Sequence, residues 1–176
     1  METLSAARRI AILQDCHAIE LASFELYTFF SHIFTDDQGA SGLWRKAALE
    51  EERHAAQFIT AASIPGEMIA RVRTTPLRIA EARDEVTALV EKVKADPPTL
   101  EEALEMAVRL ERQLADLHMD CVMEFCHEPF NQLFREMMEA DLGHVTELEQ
   151  AYRNVYRHIP PIRPDMRDFD DSVRLP

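Results

Sequence analysis

The amino-acid sequence predicts an all-α protein, a four-helix bundle with one long crossover connection. Three observations carry this. Long blocks rich in Ala, Leu, Glu, Met and Arg are free of proline, and none of the nine prolines precedes Pro65; such composition favours helix. The alternating β-branched pattern of a sheet is absent. Two helical blocks joined by a short loop are followed by a long connection and then by two more blocks.

The first block runs from Ser5 to about Phe34, with one face passing through Ile10, Leu13, Cys16 or His17, Glu20, Phe24, Tyr27 and Ser31. The stretch TDDQGASG reads as a loop. The second block runs from about Gly42 to Ser63, through Trp44, Ala48, Glu51, Ala55 and Phe58, and Pro65 and Gly66 end it. Trp44, near the start of its helix, is expected at a subunit contact. The segment from Gly66 to Pro98 is the long connection, with a weaker helical pattern from Leu77 to Val93. Thr99 and Glu102 form a capping box that opens the third long helix. Its face passes through Leu104, Val108, Glu111, His118, Val122 and Phe125. Pro129 suits the first turn of the fourth helix, whose face includes Asp141, His144, Leu148 and Tyr152. Short loop, long crossover, short loop is the ferritin-like connectivity rather than the simple up-down-up-down one. The bundle is expected to occupy residues 1–159. The tail, 160–176, has no helical period and reads either as a disordered acidic arm or as a strap across a neighbour or its own bundle.

Composition narrows the partners. The 176 residues suffice for one domain with a real core. With 32 acidic and 19 basic side chains the net charge is −13, and no Lys/Arg cluster interrupts it. Neither a nucleic acid nor an anionic membrane is an expected partner. No apolar run approaches the length of a spanning helix, and the N-terminus has no signal-peptide pattern, so a cytoplasmic location is expected. Three cysteines, Cys16, Cys121 and Cys126, contain no CxxC. They make neither a disulfide framework nor a metal knuckle, and each reads as a small buried hydrophobe.

Each of the four apolar stripes is interrupted near its middle by a carboxylate: Glu20, Glu51, Glu111 and Asp141. The second and fourth add a histidine three residues later, His54 and His144, on the same helical face. Ionised carboxylates cannot sit uncompensated in a bundle core. Two divalent cations would neutralise four of them, and carboxylate oxygen with imidazole nitrogen suits iron, with manganese possible. The expected metal ligands are therefore Glu20, Glu51, His54, Glu111, Asp141 and His144, holding two Fe ions per chain. The halves repeat: Glu20 precedes Glu51 by 31 residues and Glu111 precedes Asp141 by 30. Tyr27 and His118, two turns beyond the glutamates of their helices, are candidates to orient ligands; Tyr27 also reads as plain packing. His17, one turn before Glu20, reads as a supporting or core residue rather than a ligand. Glu50, Glu52, Glu105 and Glu147 lie off the stripe centres and read as solvated surface.

With Glu20 and Tyr27, Glu51-Glu52-Arg53-His54, the run Leu104 to Glu111, and Asp141-Leu142-Gly143-His144, the chain resembles the rubrerythrin-like branch of the ferritin superfamily over residues 5–158. The resemblance implies two non-haem irons that react with peroxide or dioxygen, with Glu51 and Glu111 bridging and Glu20 terminal. Three departures stand out. Asp141 replaces the usual glutamate and is shorter by about 1.5 Å; Gly143 beside it either allows a closer helix approach or is simply exposed. Val108 and Leu114, one turn either side of Glu111, leave no additional helix-three ligand. Three scattered cysteines cannot build a rubredoxin-like module, so the electron donor is expected to be a separate protein. The expected oligomer is a homodimer. Alternative functions are iron oxidation and storage, hydroxylation of an organic substrate, and a metal-free interaction bundle.

Overall fold

Five helices and one short two-stranded clip make up the fold in the computed structural model, which describes residues 5–71, 74–120 and 124–155. α1 spans Ala6–Ile33, and the side chain of its N-cap Ser5 accepts from the Arg8 amide. α2 spans Gln38–Ala62. It begins four residues before the predicted Gly42, because Asp37 caps it: the Ala40 amide donates to Asp37 Oδ1 at 3.0 Å. A single 3₁₀ turn, Gly66–Met68, follows and leads into strand β1, Ile69–Arg71. α3, Pro76–Ala95, occupies the crossover. α4 spans Leu100–Asp120 and α5 Glu128–Val155.

The predicted capping box at the start of α4 is present. The Thr99 amide donates to Glu102 Oε2 at 2.8 Å, and the Glu102 amide donates back to Thr99 Oγ1 at 3.3 Å. Pro129 lies in the first turn of α5, where its missing N–H leaves no intrahelical bond unmade. The third predicted helix was expected to carry its face through Val122 to Phe125. Instead α4 ends at Asp120, and Glu124–Phe125 form strand β2, antiparallel to β1. The Cys126 amide extends this clip by donating to Met68 O at 2.7 Å. Two such short strands fall below the length at which residue alternation is readable.

Side-chain contacts set the helix directions. Tyr27 meets Trp44 while His17 meets Ala55, so α1 and α2 run antiparallel. Glu51 meets His144 while Phe58 meets Phe134, so α2 and α5 are antiparallel as well. On α3, Arg83 pairs with Asp15 and Lys94 with Glu25, so α3 rises parallel to α1. The crossover thus returns the chain along the length of the bundle before α4 begins. This is ferritin-like four-helix packing of α1, α2, α4 and α5, with α3 laid against α1 through Ile79, Val86, Val90 and Val93.

At one end of the core, Tyr27, Phe30 and Trp44 are fully buried. Trp44 stacks on Tyr27 at a centroid distance of 5.8 Å and an interplanar angle of 12°. Trp44 therefore belongs to the core and not to the subunit contact expected for it. Burial of each such ring contributes about 1.5–3 kcal/mol. Cys16 is buried as expected, but Cys126 is exposed beside the clip. Cys121 and the tail 160–176 lie outside the described residues. No helix among the described residues is long and apolar enough to cross a membrane.

Candidate metal centre

Four helices each send acidic or imidazole side chains into one place. Glu20 comes from α1, Glu51 and His54 from α2, Glu111 from α4 and His144 from α5. None of the five exceeds 5% exposure. The in-phase spacing of each residue with the apolar stripe of its helix accounts for this burial. Three carboxylates in one dry core would repel one another and lose their hydration, a cost that bound cations remove.

The side chains fall into two groups of three. Glu20, Glu51 and His54 form one; Glu51, Glu111 and His144 form the other, and the ligating atoms within each lie within 4.8 Å of one another. Glu51 is common to both. Its Oε2 lies 3.7 Å from His54 Nδ1, and its Oε1 lies 3.4 Å from His144 Nδ1. Glu20 Oε2 completes the first group, 3.8 Å from His54 Nδ1. Glu111 Oε2 completes the second, 3.5 Å from His144 Nδ1. Both imidazoles thus present the same nitrogen, Nδ1, to the centre. Glu111, expected to bridge, falls in one group only.

These separations are longer than an ordinary hydrogen bond of about 2.7–3.2 Å and suit atoms that share a cation. Glu51 Oε1 and His144 Nδ1 are buried with no hydrogen-bond partner. An orphaned carboxylate oxygen facing an orphaned imidazole nitrogen is what a ligand set without its ion leaves behind. Two oxygen-rich sites with one nitrogen each fit a pair of divalent first-row cations such as iron. The residues therefore form a di-iron-type carboxylate and histidine site.

Surrounding groups tune the centre. The Tyr27 hydroxyl donates to Glu111 Oε1 across α1 and α4. Burial, then the nearby Glu111 and Glu51 carboxylates, push the Tyr27 phenol well above its ordinary range, so it remains a donor. Burial, then the charge of Glu51, also raises Glu111. Burial pushes Glu51 the same way, but the adjoining Glu20 carboxyl and the His144 and His54 imidazoles outweigh it and hold Glu51 low. Burial opposes protonation of His144, yet the Glu111 and Glu51 carboxylates dominate and raise it to about 11. In the metal-free protein a proton on His144 thus takes part of the place of a cation.

His17 Nδ1 donates to the Ala55 carbonyl at 2.8 Å, tying α1 to α2 one turn from the centre. It belongs to neither group. Glu50 is a correction: its side chain is only 26% exposed and not simply solvated surface. Its Oε2 is buried and lies 3.5 Å from His144 Nε2, on the side of the ring away from the centre. A carboxylate there selects the tautomer that leaves Nδ1 free for a metal. Adjacency to Glu51 was the available signal, but Glu50 acts across the α2–α5 contact, which sequence spacing does not reveal. Glu147, by contrast, is exposed and pairs with Lys46. Gly143 is also exposed, and a Cβ placed on it would meet nothing within 4 Å. Its bareness therefore gives no closer helix approach. Asp141 lies on α5 and His118 on α4, but the side chains of both fall outside the described residues.

No protein-family model matches the chain, and no curated protein or solved structure matches it either.

Proposed function

We propose that this protein is a non-haem di-iron oxidoreductase that reacts with peroxide or dioxygen, in the manner of rubrerythrin-like proteins, and is re-reduced by a separate electron-donor protein. The observation that carries this reading is the pair of buried ligand groups joined through Glu51. Glu20, Glu51 and His54 would hold one ion. Glu51, Glu111 and His144 would hold the other, with Asp141 as a further ligand on α5. When bound, two irons supply Lewis acidity and a pair of electrons to an O–O bond.

The chain's own groups do the rest. Glu51 places one oxygen in each site and so fixes the spacing of the two. Tyr27 holds its proton on the hydroxyl oxygen, orients Glu111 and withdraws charge from it. Glu50 holds His144 from behind. The rings of Trp44 and Phe30 pack around Tyr27 and exclude water from that side. We place the protein in the cytoplasm as a homodimer.

Anaerobic loading with Fe(II), followed by stopped-flow mixing with peroxide or dioxygen, tests the proposal. The expected result is consumption of two electrons per chain at a rate above that of free Fe(II). Two bound irons that remain ferrous under both oxidants would overturn the assigned reaction while leaving the metal site in place. A large assembly that retains many irons per chain would assign it to storage instead.

A further inference from the structure

The structure assigns Ser23 as the hydrogen-bond donor to a small oxygen- or nitrogen-donor ligand at the centre, a role that rests on the di-metal reading above. Ser23 lies on α1 between Glu20 and Tyr27. It is about 60° around the helix axis from Glu20 and about 40° from Tyr27, about one turn from each. Glu20 belongs to one ligand group, and Tyr27 bonds to Glu111 of the other. The stretch of α1 that carries Ser23 therefore runs alongside both groups.

The hydroxyl itself is anomalous. A buried helical serine or threonine ordinarily donates to a carbonyl of the preceding turn. Buried Ser31 Oγ does so to Thr28 O, and the exposed Thr60 Oγ1 and Thr87 Oγ1 do the same to Ala56 O and Arg83 O. Ser41 Oγ reaches across to Ser31 O. Ser23 is fully buried and its Oγ has no hydrogen-bond partner. An apolar residue of similar size would fill the place at lower cost, since a buried unsatisfied hydroxyl is destabilising. A hydroxyl kept there is explained by an occupant that accepts from it. Among small acceptors that bind metal pairs of this kind, water, peroxide and azide are compact enough to be held between a metal and one buried hydroxyl.

The test uses the full chain loaded with two Co(II) ions and azide as the probe, followed by the visible cobalt bands. Ser23→Ala is expected to keep two Co(II) ions per chain and to bind azide about 5–10-fold more weakly, a loss of one ordinary hydrogen bond. Ser23→Thr, which retains the hydroxyl, is expected to keep wild-type azide affinity. Metal-free Ser23→Ala is expected to melt no lower than metal-free wild type. Unchanged azide affinity in Ser23→Ala would overturn the assignment, as would a lower melting temperature of its metal-free form, which would mean that the hydroxyl has a structural partner. Absence of bound cobalt in the wild type would instead overturn the di-metal reading itself.

Discussion

Tyr27→Phe isolates one hydrogen bond at the centre with little change in packing. The variant keeps the ring stacked on Trp44 at 5.8 Å and removes only the donor to Glu111 Oε1. Glu111 is 3% exposed, so water cannot replace the lost donor. Leaving a buried acceptor unsatisfied costs about 1–3 kcal/mol. For a chain of this length each kcal/mol lowers the melting temperature by about 2–4 °C. Metal-free Tyr27→Phe should therefore melt about 2–12 °C below metal-free wild type by calorimetry. In the loaded form, loss of a group that orients a ligand typically costs about 10–100-fold in metal affinity, readable by competition with a chromophoric chelator. A variant that melts with the wild type and binds metal equally well would refute the role given to Tyr27 and return it to plain packing.

Glu50→Ala should weaken the second metal more than the first, because Glu50 faces His144 of the second ligand group; Co(II) titration should then resolve two steps, and Glu50→Gln should restore part of the loss. Metal loading should release protons. His144 is raised from 6.5 to about 11 in the metal-free fold, so its proton stabilises that fold fully below about pH 6.5. This contribution declines as pH rises and is lost through pH 11. The imidazole must give up that proton to bind a metal, so affinity should rise with pH, measurable by calorimetry in buffers of different ionisation enthalpy. Gly66→Ala should destabilise the fold by about 1–3 kcal/mol by thermal melting, because the new Cβ would lie 2.7 Å from Ala6 Cβ and 2.8 Å from the Ala6 carbonyl oxygen.

The residues that were legible in the sequence are those whose position depends on a single helix. Glu20, Glu51, His54, Glu111 and His144 could be placed because each is in phase with its own apolar stripe, and four in-phase stripes need only one bundle to converge. The Thr99–Glu102 cap was readable for the same reason, since both partners lie within one turn. What escaped depends on contacts between elements. Glu50 reaches His144 only across α2 and α5. Trp44 is covered by Tyr27 and Phe30 of another helix. The β1–β2 clip joins residues more than 50 positions apart. The early start of α2 is local, but Gly39 and Gly42 within TDDQGASG masked the Asp37 cap. Ser23, among small polar residues on an apolar stripe, became informative only when its hydroxyl proved to have no partner.

The measurement that bears most directly on the centre is metal stoichiometry in wild type, His54→Ala, His144→Ala and Glu51→Ala, by elemental analysis after anaerobic reconstitution. Because Glu51 belongs to both ligand groups and each histidine to one, the expected values are two metals per chain in the wild type, about one in each histidine variant, and fewer in Glu51→Ala than in either. A wild type that binds no metal, or a Glu51→Ala variant that keeps both ions, would contradict a centre built around that shared carboxylate.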